Sequence, residues 1–204
     1  RQLWLDASAE DFAKYQLAQD DVLAWLREQA KEVLINAGDD PDEQKAALLA
    51  WAKANSNNAE HLRRIATLRQ LAGQAKVAPA IEWINRFLEE SERKIVVFAH
   101  HVSVVDALAK AFGDSAVRIS GSVALSKRQE AVDSFQNNKK TRVFVGNIDA
   151  AGVGITLTAA SDVLFVEQGW TPAQHDQAED RCHRIGQRDS VTAWYGLLGN
   201  SIDE

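Results

Sequence analysis

"KIVVFAH", residues 94–100, is the stretch that decides the fold class of this 204-residue chain. Five apolar residues in succession follow Lys94 and leave no polar face along the segment. Such a run predicts a β-strand that is buried on both faces, as the strands of parallel sheets are. Apolar residues recur at helical spacing before it, in residues 78–91, and after it, in residues 103–112. A buried strand between two helices indicates an α/β fold.

The same alternation continues to the end of the chain. Predicted strands lie at 116–120, 141–146, 162–167 and 191–198, and predicted helices lie at 125–138 and 172–185. Parallel strands need crossover connections, so the pattern predicts a parallel sheet with helices on both faces. Ligands of such sheets bind at the carboxyl ends of the strands. Polar candidates at those ends are His100, His101 and residues 120–122, 146–158 and 167–171.

The first part of the chain has a different pattern. Apolar residues at helical spacing predict helices over residues 11–34, 43–55 and 59–73, with Ser8 as the cap of the first and Gly73 at the end of the third. The sequence therefore predicts a helical part at residues 1–75 and an α/β part at residues 76–204.

Composition limits the possible functions. The formal charge is −6, so any nucleic-acid site must be a local patch. Cys182 is the only cysteine. An internal disulfide and a Cys/His zinc site are therefore excluded, which fits a reducing cytoplasm. No apolar run approaches membrane-spanning length and no signal peptide is present. Because the chain lacks an initiating Met and stops soon after an apolar run, we expect a piece of a longer protein.

"GNIDAAGVGITLT" (146–158) follows a predicted strand and contains three glycines. Glycines let backbone N–H groups approach a phosphate closely, although a glycine-bearing turn after a strand is more often only a turn. The segment is not a P-loop, because no Gly-Lys-Ser/Thr follows it.

"QAEDRCHRIGQ" (177–187) places Arg181 and Arg184 three positions apart, on one face of the predicted helix. Two guanidinium forks suit a phosphate. The alternative is a structural role at a helix end, with pairing to the local acids Asp176, Glu179 and Asp180.

Two further segments suggest contact with nucleic acid. Trp170 follows a predicted strand, and its ring is either a stacking surface for a base or ordinary packing. Lys127 and Arg128 begin a predicted helix, where they either seat a phosphate backbone or lie in solvent. No stretch offers a metal-binding set or a Gly-x-Ser-x-Gly nucleophile, so phosphate recognition is the candidate chemistry.

In order, "KIVVFAHH", "RISGSVALSKRQEAVDSFQ", "RVFVGNIDAAGVGITLTAASDVLFVEQGWTPA" and "QAEDRCHRIGQ" resemble motifs IV, V and VI of the SWI/SNF-type ATPases of helicase superfamily 2. The resemblance spans about residues 94–204, and the helical stretch around 68–70 resembles the start of that family's second lobe. "VFAHH", "GSV" and the "QAEDR" and "HRIGQ" segments together resemble the HepA-related, annealing-helicase branch.

The resemblance implies a RecA-like second lobe of a DNA-dependent ATPase and translocase, with ATP in the cleft between two lobes. Arg181 and Arg184 match the arginine fingers of motif VI, and Gln177 matches its leading glutamine. Motif V, near the nucleotide, is matched by Gly152, Val153 and Gly154. The residues in or near segments that track DNA are Ser122, Arg128, Thr156, Thr158 and Trp170.

The departures from the family pattern bear on activity. The Walker A loop and the acidic motif of the first lobe are absent from the sequence, Ser120 stands where the family usually has Asp, and motif V lacks its common Ser or Thr. The resemblance therefore implies that the N-terminal ATPase lobe of the same parent chain holds ATP and Mg²⁺, and that this chain alone does not hydrolyse ATP. It also implies DNA as a partner, no membrane, no obligate oligomer, and a bacterial or phage-type cytoplasm or a eukaryotic nucleus.

Two alternatives stay open. The chain could be a non-catalytic RecA-like module that binds nucleic acid or a protein without ever meeting a first lobe. It could also be a nucleotide-sugar or dinucleotide-binding enzyme, although Gly-x-Gly-x-x-Gly is absent after its first predicted strand.

Overall fold

The computed structural model describes residues 1–55, 57–121, 124–149, 154–184, 187 and 189–204, and of Leu125 only the backbone. These residues form two compact units. One is helical and comprises Ser8–Ala72, and the other is an α/β unit that comprises Arg1–Ala7 and Gly73–Glu204.

The α/β unit is built on one parallel sheet. Among the described residues it has six strands, in the spatial order β1-β6-β5-β2-β4-β3, and each neighbouring pair is parallel. The strands are β1 (Gln2–Trp4), β2 (Lys94–Ala99), β3 (Ala116–Ile119), β4 (Val143–Asn147), β5 (Ala160–Phe165) and β6 (Thr192–Leu197). The predicted fold class, a parallel α/β sheet, is confirmed.

Both faces of the sheet are covered. The helices of this unit are α4 (Val77–Glu90), α5 (Val102–Phe112), α6 (Leu125–Asn137) and α7 (Pro172–Glu179), and a short 3₁₀ helix follows α5. Along β2, Ile95 and Val97 pack into one core with α4 and α5, whereas Val96 and Phe98 pack into a second core with residues of α6 and α7. All four side chains are fully buried. The unbroken apolar run of β2 therefore contributes side chains to the hydrophobic cores on both faces of the sheet.

The first strand corrects the expectation for residues 1–75. Gln2–Trp4 is not helical but pairs with β6, in the register Gln2↔Tyr195 and Trp4↔Leu197. Three residues are too few to show the period-2 pattern of a strand, and the pairing depends on a partner almost two hundred positions away. The prediction of a wholly helical segment is wrong at these residues.

The helical unit contains α1 (Ala9–Asn36), α2 (Pro41–Ala54) and most of α3 (Ala59–Ala75). The side chain of Ser8 accepts a hydrogen bond from Asp11 N, which confirms Ser8 as the cap of α1. Gly73 does not end α3, which continues for two more residues. No helix in the described part of the chain is long and apolar enough to cross a membrane.

The last helix ends earlier than predicted. α7 stops at Glu179, and residues 181–184 continue as turns and bends. Arg181 N donates to Ala178 O and Cys182 N donates to Glu179 O, three residues back, so the chain tightens into turns beyond Glu179. Leu157 N donates to Arg181 O over 2.7 Å and fastens this turn to the segment before β5. The expectation that Arg181 and Arg184 share one face of a helix is therefore wrong.

Candidate functional site

The arginine pair lies at the amino end of β5. Besides the bond from Leu157 to Arg181, the side chain of Gln187 donates from Nε2 to the carbonyl oxygen of Ala160, the first residue of β5, over 2.7 Å. The turn after α7 is thus fastened to the segment that leads into this strand. The sequence predicted that residues 146–158 lie at the carboxyl ends of the strands. This prediction is wrong for residues 154–158, which lead into the amino end of β5.

Arg181 is half-buried and its charge is not neutralised. Its Nε is buried and has no hydrogen-bond partner among the described residues. Burial lowers the pKa of the guanidinium, the positive charge of Arg184 lowers it further, and Asp180 acts in the opposite direction. A buried, unpaired N–H beside a second cation is costly unless an anion binds there.

Arg184 is exposed but held in place. Its Nη1 donates a hydrogen bond to the hydroxyl oxygen of Thr156 over 3.1 Å. Thr156 is also a predicted DNA contact, and the structure brings its hydroxyl to an arginine of the pair. The segment that follows the glycine-rich stretch therefore orients one of the two guanidinium groups.

The local acids do not neutralise the pair. Within the described residues neither Arg181 nor Arg184 makes an ion pair. Glu179 instead accepts a hydrogen bond from the hydroxyl of Tyr195 over 2.5 Å, and this contact together with burial raises the pKa of that phenol. The structural alternative for the arginine pair thus loses its main support.

The other predicted nucleotide contacts are less well defined by the structure. Gln177 lies on the exposed side of α7. Gly154 is exposed and has a φ of 48°, a left-handed conformation that favours glycine. A Cβ there would meet nothing within 4 Å, so the requirement for glycine is conformational and not steric. Gly152 and Val153 lie outside the described residues.

A second polar cluster lies at the carboxyl ends of the strands, among the polar candidates there for which the sequence predicted no role. Glu167, which follows β5, is buried and accepts hydrogen bonds from the backbone N–H groups of His100 and His101 over 3.0 Å and 2.8 Å. Its other oxygen lies 2.6 Å from His101 Nδ1. Glu167 thus caps α5, whose N-cap residue, His101, makes no capping bond of its own. A Cβ on Gly73 would lie 2.0 Å from this carboxylate, which explains a glycine inside α3.

Two loops are joined at the same edge by Gln174. Its Nε2 donates to Asp149 Oδ1 over 2.7 Å, and its Oε1 accepts from Thr171 N over 3.0 Å. Trp170 lies in the second of these loops and is 51% exposed, with its ring edge-on to that of His100. A half-exposed tryptophan beside fixed polar groups can stack on a flat ligand. The only sequence signal for this cluster was the position of polar residues after buried strands.

The predicted DNA contacts do not converge on one place. Trp170 lies at the carboxyl edge of β5, whereas Thr158 lies at the amino edge, where its hydroxyl accepts from Gln136 Nε2 over 3.1 Å. Arg128 donates to the carbonyl oxygen of Gly121 over 2.7 Å and so supports the loop after β3. Ser122 lies outside the described residues. No cluster of His, Cys, Asp and Glu that could hold a metal ion occurs in the described part of the chain.

A parallel sheet covered on both faces, with an arginine pair in the turn after α7, is the arrangement expected of a RecA-like lobe of the helicase type. The family described as "Helicase conserved C-terminal domain" matches residues 76–186, and the chain belongs to that family. The SWI/SNF resemblance seen in the sequence is confirmed by the relatives and by the solved structures.

Two relatives illustrate this. The chain is 42% identical over 132 residues to the "DNA annealing helicase and endonuclease ZRANB3" of Mus musculus, which covers 63% of this chain and 12% of the relative. It is 37% identical over 194 residues to the "SWI/SNF-related matrix-associated actin-dependent regulator of chromatin subfamily A-like protein 1 homolog" of Caenorhabditis elegans. This alignment covers 90% of this chain and 28% of the relative. The chain therefore spans less than a third of either relative.

Solved structures show the same fold. The C-terminal part of the Fun30 ATPase domain superposes on this chain with a TM-score of 0.71 at 18% identity. The superposition covers 100% of this chain and 86% of the Fun30 chain. The Sulfolobus solfataricus SWI2/SNF2 ATPase core in complex with dsDNA matches 97% of this chain and 40% of its own with a TM-score of 0.67 at 19% identity. The chain thus has the fold of the C-terminal lobe of these ATPases.

Proposed function

We propose that this chain is the second lobe of an ATP-dependent DNA translocase, in which Arg181 and Arg184 contact the phosphates of ATP held by a first lobe of the parent protein. The observation that carries the proposal is the Nε of Arg181, which is buried beside a second guanidinium and has no partner among the described residues. A phosphate would satisfy the donor and balance both charges.

The chemistry assigned to the pair is stabilisation of charge. ATP with Mg²⁺ supplies the γ-phosphoryl group whose transfer to water spreads negative charge over its oxygens. Arg184 is already oriented by Thr156, so little reorganisation is needed when the charge develops. Arg181 is partly desolvated, which strengthens its interaction with an anion.

Mg²⁺ and the rest of the nucleotide are assigned to the first lobe. The sequence contains no Gly-Lys-Ser/Thr phosphate loop, so this chain alone is expected not to hydrolyse ATP. Catalysis then requires closure of the cleft between lobes, which brings the arginines to the nucleotide. Gln177, Gly152, Val153 and Gly154 are proposed to line the same cleft.

DNA is proposed as the second ligand. The mouse relative is named a DNA annealing helicase, and the Sulfolobus core was solved with dsDNA. Trp170 and its rigid surroundings are proposed to contact a strand, and Arg128 to hold the loop that carries Ser122 against the backbone. Thr156 and Thr158 are also proposed to lie along the DNA, with hydroxyl oxygens that accept from Arg184 and Gln136.

The test is ATP hydrolysis by the parent protein with no DNA and with single-stranded, duplex or forked DNA. Arg184→Ala should lower turnover by about 10³-fold or more, as loss of an arginine finger does. Arg184→Lys should remain impaired, because an ammonium lacks the planar fork. Arg86→Ala, an exposed arginine on α4, is the matched control.

A loss of less than about tenfold in Arg184→Ala and in the Arg181→Ala/Arg184→Ala double variant would contradict the catalytic role. Absence of hydrolysis by the unsubstituted parent under every condition would leave the alternative, a RecA-like binding module.

Binding of DNA by the 204-residue chain is a separate test. With a formal charge of −6, only a local patch contacts phosphates, so we expect weak affinity that falls steeply between about 50 and 200 mM salt. Fluorescence anisotropy of labelled duplex DNA measures this. Affinity that does not change with salt would contradict a phosphate-led contact.

A further inference from the structure

Helix α2 has an apolar face that the helical unit leaves open. None of its 14 residues is buried, although Leu48, Leu49 and Trp51 lie on it and Leu49 is 63% exposed. A helix of this length is marginal in water unless a face of it is packed. The exposed apolar residues are contiguous and not scattered, which is the pattern of a binding surface.

These residues form one side of a groove between α1 and α2. The groove has a volume of about 640 Å³, and both of its walls belong to the helical unit. Leu26 and Leu34 of α1 face Leu48, Leu49 and Trp51 of α2 across it. Two helices that contact each other along one side leave room for a third helix to complete a bundle.

The charged residues of the groove are all positive. Arg27 and Lys45 line it, and no acidic side chain does. Neither has an ion pair or a hydrogen bond of its side chain among the described residues, whereas Lys14, Lys31, Arg63 and Arg64 of the same unit are paired. This local excess of positive charge lies in a unit with eleven acidic and eight basic residues, so the groove differs from its surroundings.

We propose that this groove binds an amphipathic helix of a partner protein. One face of that helix carries leucine or similar apolar residues, and Glu or Asp lies on either side of this face. The apolar face fills the space between Leu34 and Leu49, and the flanking carboxylates reach Arg27 and Lys45. α2 is about 21 Å long, so the ligand helix needs three to four turns. The apolar contact supplies affinity, and the charges supply orientation and selectivity.

A second copy of this chain fits less well. In a two-fold symmetric pairing of two grooves, Arg27 and Lys45 of one copy would approach the same residues of the other. Like charges at an interface oppose association. DNA and anionic lipid are disfavoured by the acidic balance of the helical unit and by the apolar character of the groove.

The probe for the test is a fluorescein-labelled synthetic peptide of about 18 residues, long enough to form a helix, with leucines at helical spacing and glutamates beside them. Its binding to the 204-residue chain is followed by anisotropy. Leu49→Asp should weaken binding by about tenfold or more. Lys45→Glu should weaken binding of this peptide and strengthen binding of a second peptide in which every glutamate is replaced by lysine. Leu17→Asp, at an exposed residue of α1 outside the groove, is the matched control and should bind normally.

Circular dichroism of each variant checks that the helices persist. The proposal is overturned if the peptide does not bind, if Leu49→Asp and Leu17→Asp behave alike, or if exchanging the charges changes nothing. Sedimentation that shows the chain itself dimerising through Leu49 would assign the groove to a second copy and would equally overturn it.

Discussion

Arg184 donates a hydrogen bond to the hydroxyl of Thr156, and the two residues are 28 positions apart in the chain. The contact joins the segment after the glycine-rich stretch to the turn after α7. It therefore links motif V to motif VI within one lobe, at the amino edge of β5. Leu157 and Arg181, which contact each other through their backbones, form a second link beside it.

Thr156→Val removes the oxygen that orients Arg184 and keeps the shape of the side chain. In the parent protein we expect kcat for DNA-stimulated ATP hydrolysis to fall by about tenfold, because a misplaced guanidinium stabilises the transition state less well. Steady-state ATPase assays measure it. Thr67→Val is the matched control, since Thr67 is an exposed residue of α3 whose hydroxyl donates to Arg63 O, and it should change kcat by less than about twofold. Equal losses in both variants would show that the effect is not specific to the arginine.

Glu167→Ala should destabilise the α/β unit. The substitution leaves the N–H groups of His100 and His101 without an acceptor at the start of α5 and opens space beside Gly73. We expect a loss of about 2–3 kcal/mol in the free energy of unfolding, followed by urea denaturation. Glu167→Gln retains an acceptor oxygen and should lose less. Glu89→Ala, at an exposed residue of α4, is the control, and an effect as large as that of Glu167→Ala would contradict the capping role.

Lys76 forms a buried ion pair whose disruption should be costly. Its side chain is 1% exposed, and Nζ donates to Asp203 Oδ2 over 2.7 Å and to Gly196 O over 3.2 Å. Lys76→Met leaves the carboxylate without its counter-ion, so we expect a loss of about 3 kcal/mol in the free energy of unfolding. Lys76→Met/Asp203→Asn removes both charges and keeps an acceptor for Leu198 N. It should recover part of the loss, and no recovery would show that the cost lies in packing.

The buried thiol of Cys182 leads us to expect that the protein loses stability at alkaline pH. Burial, with smaller contributions from Glu179 and Asp162, raises the pKa of its thiol to about 12. In the unfolded chain a thiol has a pKa of about 8.5. The folded state binds the thiol proton more tightly than the unfolded chain does. The resulting contribution to the free energy of unfolding is fully present below about pH 8.5 and is lost as the pH rises towards the folded pKa.

The melting temperature should therefore begin to decline at about pH 8.5, before most lysines and tyrosines titrate. In Cys182→Ala the decline should be shallower, although the variant starts from a lower melting temperature because it has lost buried volume. Thermal unfolding of both proteins at several pH values measures this. Parallel declines would show that another group is responsible.

The strands that the sequence predicted best are those with unbroken apolar runs. β2, β4 and β5 are buried on both faces, and their pattern requires no knowledge of their neighbours. β1 escaped prediction because three residues carry no period and its pairing with β6 is set by the sheet. The end of α7 escaped for a related reason, since its helical pattern continues to residue 185, but the chain turns after Glu179 and this turn is bound through Arg181 O to Leu157, which is distant in the sequence.

The sequence by itself determined the fold class, the family and the presence of the arginine pair, because each of these is written in local residue order: apolar runs, motif spacing and charge. Only the tertiary structure decided that Arg184 is held by Thr156, that Arg181 has a buried donor with no partner in the described part of the chain, and that Glu167 caps α5. The contacts of Arg184 and Glu167 join residues from 28 to 67 positions apart, and groups at such separations meet only through the order in which the parallel strands are assembled.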